Sequence, residues 1–298
     1  MNAAPGFARH CPICSDEPVS VGTRVGRLDA RQYLYLHCPT CRLSFVADPR
    51  SDFESIYTEE YYKGLGADPM VDYEYELTNP EKTIRNYEWR GLLSVYRQLS
   101  PQPGRWLDFG CGCGGLVAFA GQHGIDIVGF DEGWGAQAGR SAGIRILTRE
   151  ELLADTEKFD FISAVEVIEH VSDPVALLAT IRSLLKPGGV LFLTTGNARP
   201  WRGNLFKWGY LSAPEVHISF FEPETLELAY RKAGLEPKRG FFLDGYVDII
   251  KYKVLKILRV RNQHRLIDWL PWKLMSRVVD WRHQVTRQPY AIRPSSGE

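Results

Sequence analysis

The sequence predicts an α/β fold, and three observations carry that prediction. A short apolar strand, "RWLDF", runs into the glycine-rich "GCGCGG", then a helix, "LVAFAGQHG", and a second strand, "IDIVGFD". Further on, "FDFISA" has the length and apolar content of a buried strand, with a helix beginning near Pro174. The turn "LLKPGG" then precedes another apolar strand, "VLFLTT". Strands alternating with helices in this way build βαβ units.

The chain has 298 residues, enough for one large domain with small appendages. Its net charge is zero, which argues against a dedicated nucleic-acid binder. The opening "MNAAPGFARH" lacks the apolar core of a secretory signal, and no apolar run approaches the roughly 18 residues of a membrane span. The expected compartment is therefore the cytoplasm. There, paired cysteines read as metal ligands before they read as disulfides.

Residues 1–48 are expected to form a zinc ribbon. "HCPICSDEPV" and "HCPTCRLSF" each place two thiols in one tight turn, Cys11 with Cys14 and Cys38 with Cys41, and 19–36 reads as two short strands between them. Two such turns complete the tetrahedral shell that Zn²⁺ prefers. Four cysteines leave no open coordination position, so this zinc would be structural.

Residues 49–79, rich in Tyr and acids, read as a linker with short helical pieces packing onto the main domain. Asn79 and Pro80 look like an N-cap and first helical residue. The helix expected from about Pro80 to Leu99 sends Ile84, Tyr87, Leu92, Val95 and Tyr96 to one broad face.

In the loop after "RWLDF", Gly110, Gly112, Gly114 and Gly115 allow sharp turns and close approach of a ligand. Asp131, ending the second strand, sits where a ribose diol is usually held. The glycines also satisfy a dinucleotide pattern, so the loop by itself suits NAD or another adenosine cofactor. Asp108 tips the balance: a carboxylate there would crowd a pyrophosphate but suits a cationic amino group. Cys111 and Cys113, between the glycines, read as small residues that the turn requires rather than as a redox pair, metal ligands or nucleophiles.

Together, "LDFGCGCGG", Asp131, "FDFISAVEVIEHV" and "LLKPGGVLFLTT" resemble class I S-adenosylmethionine (SAM) dependent methyltransferases over about residues 80–245. The resemblance implies a Rossmann-like, seven-stranded, mostly parallel sheet. SAM would lie across the C-terminal strand ends, with Asp108, Gly110, Gly112, Gly114, Asp131 and Glu166 as its binding residues. The long "GNARPWRGNLFKWGYLSAPEVHISFFEP" after the fifth strand offers Trp201, Phe206, Trp208 and Tyr210 as walls of an acceptor pocket or as buried packing. A helix and a strand at about residues 236–242 follow it.

"AVEVIEHVSD" places Glu166, Glu169 and His170 at i, i+3 and i+4, which in a helical turn share one face. Residues at that strand edge lie where α/β folds bind ligands. His217 follows strand five and is expected to return to the same rim. The pattern resembles ubiquinone-pathway O-methyltransferases and small-RNA 2′-O-methyltransferases. Carried over, it implies that Glu166, Glu169, His170 and His217 hold a divalent metal, Mg²⁺, Mn²⁺ or Zn²⁺. Alternatively His170, with Glu169 and His217, acts as a metal-free base or positions the acceptor, or the group is purely structural.

From residue 246 onward, Lys and Arg interleave with Ile, Leu, Val and Trp. This reads as a basic amphipathic helical extension, 246–298, packing on the sheet, on a second copy as a homodimer, or on the inner face of a membrane. An N-terminal ribbon joined through "Y…EEYY" resembles bacterial methyltransferases of sugar, polysaccharide and secondary-metabolite pathways. The expected function is methyl transfer to a hydroxyl of a small molecule or glycan, with no nucleic-acid partner. RNA 2′-O-methylation and NAD-dependent oxidoreduction are the competing readings.

Overall fold

The computed structural model describes residues 10–66, 72–100, 104–240 and 244–294. Residues 1–9 of the opening stretch, 101–103 ("PQP") at the expected helix end, and Phe241 and Phe242 at the expected strand end lie outside them, as do 295–298.

The chain begins with an antiparallel meander, β1 (Val19–Val25), β2 (Gln32–His37) and β3 (Ser44–Val46). Two short helices, α1 (Glu59–Tyr62) and α2 (Tyr73–Thr78), lead to α3 (Arg85–Leu99). The helix expected from Pro80 thus starts five residues later. Asn79 caps the end of α2 instead, and Thr83 is drawn into a bridge with Asn262.

An alternating run follows: β4 (Trp106–Phe109), α4 (Gly115–Gln122), β5 (Ile127–Phe130), α5 (Trp134–Ser141), β6 (Ile146–Leu147), α6 (Arg149–Ala154), β7 (Phe159–Val165), α7 (Pro174–Leu184) and β8 (Leu185–Thr194). These five strands pair in parallel. Both faces of the sheet are covered, which is why the strands read as nearly continuous apolar runs. Successive residues point to opposite faces. Leu107, Val128, Ile162 and Leu191 join α7 and the ribbon in one core. Trp106, Ile127, Phe161 and Val190 join α3 and α4 in the other.

After a long loop, β9 (Ser219–Phe220), α8 (Pro223–Lys232) and β10 (Glu236–Lys238) appear, then α9 (Tyr246–Ile257), α10 (Arg265–Asp268), α11 (Trp272–His283) and β11 (Tyr290–Ile292). The large sheet has the order β10-β11-β8-β7-β4-β5-β6, with β11 antiparallel to both neighbours. It is the expected seven-stranded, mostly parallel sheet.

Two expected boundaries change. The helices of the basic stretch are present, but the chain then returns as β11 between β10 and β8. Residues 246–289 are therefore an insertion inside the sheet's connectivity, and 245 does not end the domain. Nor does the ribbon end at 48: β9 pairs with β3 as the fourth strand of its sheet. The Thr225 hydroxyl also donates to the Cys41 carbonyl at 2.6 Å, tying the ribbon to α8.

The insertion is seated by a close helix crossing. A Cβ added to Gly245 would lie 2.1 Å from the Gly91 carbonyl oxygen, and one on Gly91 would lie 2.6 Å from that of Gly245. Only glycine at both positions lets α9 approach α3 this closely. Among the described residues no helix is long and apolar enough to cross a membrane.

Candidate functional site

At the C-terminal ends of β4, β5, β7 and β8 lies a cavity of about 1560 Å³. That exceeds the usual range for one small ligand, roughly 300–1,000 Å³, and leaves room for a cofactor and an acceptor together. Its floor is the glycine loop, where Gly110, Gly112 and Gly114 take φ of 79°, 57° and 82°. A Cβ on Gly110 would sit 2.4 Å from Val167 Cγ2, so the first glycine also sets how the chain after β7 packs.

Two carboxylates face this floor. Asp131 accepts from Gly112 N at 2.6 Å and from Glu132 N at 2.7 Å, which leaves it fixed at the cavity wall. Burial lifts its pKa to about 6 against those two bonds. Asp108 accepts from the Ser163 hydroxyl at 2.7 Å, which in turn accepts from Trp106 Nε1 at 2.8 Å. Burial pushes Asp108 up to about 7. A buried carboxylate poised near neutrality is stabilised by a cation, and the ammonium of a bound amino acid moiety would supply one. Glycine floor, diol-reaching acid and cation-seeking acid fit SAM. Cys111 and Cys113 are buried, and burial pushes both thiols up, Cys113 to about 12, so neither is a thiolate nucleophile.

The linker closes the cavity from outside. Tyr57, Tyr61, Tyr62 and Tyr73 line it, and Tyr62 packs against Trp134 with ring centroids 5.7 Å apart. Of the four loop aromatics, Trp201, Trp208 and Tyr210 line the cavity, and Trp208 stacks on Tyr210 at 4.8 Å. Phe206 instead packs against Tyr35 of the ribbon sheet.

Beyond β7 the backbone does not form the helical face that the spacing suggested. Glu166 takes a left-handed φ of 55°, and Ile168–His170 is a single 3-10 turn. A non-glycine residue in that region is strained and frequently marks a functional turn. The turn separates the acids. Glu166 pairs with Lys253 of α9 at 2.9 Å, while Glu169, His170 and His217 bring ligand atoms within 4.8 Å of one another. His217 does return to the rim, because Ile218 N donates to the Glu169 carbonyl at 2.8 Å.

The surrounding bonds orient these groups. His170 Nδ1 donates to the Val216 carbonyl at 2.8 Å, with the Tyr57 hydroxyl 2.9 Å from the same nitrogen. His217 Nδ1 donates to the Tyr210 carbonyl at 2.9 Å. In the neutral rings the lone pair is then on Nε2, the nitrogen that in His170 lies 3.9 Å from Glu169 Oε1. Tyr210 donates its hydroxyl between Glu166 and Glu169, and Thr195 donates to Glu169 at 2.8 Å. Burial and then the charge of Glu166 push Glu169 up; burial opposes ionisation of Glu166 too, but Lys253 holds it low.

Sequence reasoning missed Lys253, Tyr57 and Thr195. Lys253 lies in a stretch whose basic residues read as a surface, and nothing local signals that one of them turns inward.

The ribbon cysteines form the second cluster. All four sulfurs lie within 4.8 Å of one another, with Cys11–Cys41 at 3.4 Å and Cys14–Cys38 at 3.3 Å. These separations are too long for disulfides and suit thiolates around one tetrahedral ion with bonds of about 2.3 Å.

The chain is similar to known methyltransferases. A methyltransferase-domain family model matches residues 82–238. A ubiquinone biosynthesis O-methyltransferase of Dinoroseobacter shibae is 34% identical over 200 residues, 58% of this chain and 79% of the relative. One of Cereibacter sphaeroides is 36% identical over 149 residues, 45% of this chain and 60% of the relative, so the chain spans about three fifths of that protein's length. A solved SAM-dependent methyltransferase of Thermotoga maritima, described as a possible histamine N-methyltransferase, is 24% identical with a TM-score of 0.41, covering 57% of this chain and 82% of that one. With a family match over more than half its length on a glycine-floored sheet of this order, the chain belongs to the methyltransferase-domain family, in its class I SAM-dependent branch.

Proposed function

We propose that the protein transfers a methyl group from SAM to a hydroxyl of a small molecule or glycan. The observation that carries this reading is the cluster of Glu169, His170 and His217, whose two imidazoles line the cofactor cavity with the buried Glu169 behind them. The Dinoroseobacter and Cereibacter relatives, both named O-methyltransferases, support the acceptor atom.

When bound, SAM supplies an electrophilic methyl on a cationic sulfur, and in-line attack by the acceptor oxygen leaves a neutral thioether. The protein's residues have two tasks. Asp108 and Asp131 hold the cofactor's amino and ribose ends, with Gly110 and Gly112 giving close backbone approach, Gly114 turning the loop into α4 against Ile144, and Glu166 closing the far side. Glu169, His170 and His217 act on the acceptor, whose proton must leave as the new O–C bond forms. A divalent ion such as Mg²⁺ or Mn²⁺ fits these two imidazoles and one carboxylate, and would supply a lowered hydroxyl pKa. Stacked Trp208 and Tyr210 offer a flat wall for a ring-bearing acceptor. We assign the four ribbon cysteines to one structural zinc.

The test is radiolabelled methyl transfer from SAM to a panel of phenols, diols and sugars. A mild chelator that spares the ribbon zinc should abolish turnover while SAM still binds, and added Mg²⁺ or Mn²⁺ should restore it. If chelation does nothing but His170→Ala lowers turnover by about 10²–10⁴-fold, His170 is a metal-free base. Transfer unaffected by both would overturn the assignment of this cluster.

A further inference from the structure

The insertion between β10 and β11 has a surface unlike the rest of the molecule. Of fifteen large apolar residues exposed among the described ones, eight fall between Ile257 and Trp281. Trp269 is 85% exposed and Trp281 83%, values that a monomer in water has no reason to keep for its largest apolar side chains. On α11 they are ordered: Leu274, Val278 and Trp281, at i, i+4 and i+7, share an outward stripe, while Trp272 and Ser276 are buried on the opposite face.

The charge around this stripe is one-sided. Residues 256–282 carry seven Lys and Arg against two Asp. Both acids are engaged within the fold, Asp268 by Lys251 and Tyr87, and Asp280 by Thr286. Arg259, Arg265, Lys273, Arg277 and Arg282 are exposed among the apolar groups.

We infer that this insertion docks the protein on a membrane surface containing anionic phospholipids. Exposed Trp beside Leu and Val suits the headgroup boundary, where an indole buries its ring and keeps its N–H wet. The cations face lipid phosphates, each adding to the attraction near the surface. A second copy is the weaker occupant, since a two-fold contact through this patch would set the same excess of positive charge against itself. The placement also has a use. Ile257, Arg259, Val279 and His283 of the same insertion line the cavity mouth, so an amphipathic molecule held in the bilayer would meet the opening without crossing water.

The experiment is co-sedimentation of the full chain with two kinds of vesicle, phosphatidylcholine alone and phosphatidylcholine mixed equally with phosphatidylglycerol. It needs no acceptor and no turnover, so it fails or succeeds independently of the proposed reaction. The protein should bind the anionic vesicles, release in high salt, and bind the neutral ones far more weakly. Replacing Lys273→Gln with Arg277→Gln should weaken partition by about thirty-fold. Trp269→Ser with Trp281→Ser should also release the protein, with SAM binding as in the parent to show that the variants fold. Failure to bind either vesicle, equal binding to both, or a dimer in light scattering that the tryptophan variant dissolves would each overturn the inference.

Discussion

The two clusters of side chains able to ligate a metal are built in opposite ways. The ribbon's four thiols come from two tight turns 27 positions apart, each contributing a Cys pair. The rim cluster takes Glu169 and His170 from one 3-10 turn and His217 from a loop beyond β8, joined by the bonds from Ile218 N to the Glu169 carbonyl and from His170 Nδ1 to the Val216 carbonyl. The ribbon cluster offers four like donors, a full tetrahedral set; the rim cluster offers three mixed ones, of which His170 and His217 line a large cavity. Metal chemistry draws this same line, since a closed shell serves folding while an open position admits a substrate oxygen. Glu166 sharpens the contrast. It is near enough to share Tyr210 with Glu169, yet its charge is spent on Lys253.

The comparison can be broken most forcefully at the ribbon. Cys38→Ser should lose stoichiometric zinc and with it most of the binding free energy, which for structural sites of this kind is on the order of 10 kcal/mol. Because Cys38 and Leu43 belong to the same core as α7 and α8, the loss should lower the melting temperature of the whole protein. Elemental analysis and thermal unfolding check this, and an unchanged melting curve would mean that the ribbon is a passenger. At the rim the outcome should invert: His217→Ala or Glu169→Gln should leave zinc content and SAM affinity as they were while turnover falls by about 10²–10⁴-fold.

A pH series isolates the cofactor side from both clusters. With Asp108 pushed up to about 7 in the free protein, a cationic amino group must recruit a carboxylate that protonates as pH falls. SAM affinity should therefore be flat above pH about 7 and drop by up to about tenfold per unit below it. Calorimetry on Asp108→Asn should show weaker binding with no slope between about pH 7 and 6, below which Asp131 also protonates, and a slope surviving in that interval would assign the titration elsewhere. The smallest effect is expected from Lys253→Met. Released from its ion pair, Glu166 becomes available to the rim as a further anionic ligand, and Mn²⁺ affinity should rise by up to about tenfold. Unchanged affinity would show that the turn at Glu166, rather than Lys253, keeps it apart.

What the sequence revealed followed from range. The glycine loop, the strands β4, β5, β7 and β8, and the paired CPxC turns each lie within a few consecutive residues, where period and spacing are informative. β9 has two residues and β11 three, too few for a period, and each is a strand only because a distant edge is there to pair with. The face shared by Glu166, Glu169 and His170 assumed helical dihedrals. One residue with positive φ turned Glu166 away, and neither Glu nor its neighbours announce that conformation. Lys253 was hidden by its company: among many surface cations, Lys251 and Lys253 both turn inward, and only the Gly91–Gly245 crossing that brings α9 down onto α3 distinguishes them.

The late return of β11 also bears on how the molecule is made. Ala291 pairs with Leu191, a hundred positions earlier, and without it β8 and β10 are not joined. On the ribosome, β4 to β8 can assemble while β8 still presents a raw edge, and that edge waits for β11 to be synthesised. Contacts of such long range slow folding and leave a window for mispairing with other chains. The helices packed on α3 shorten that search, because they fix the path of the intervening chain before its end arrives.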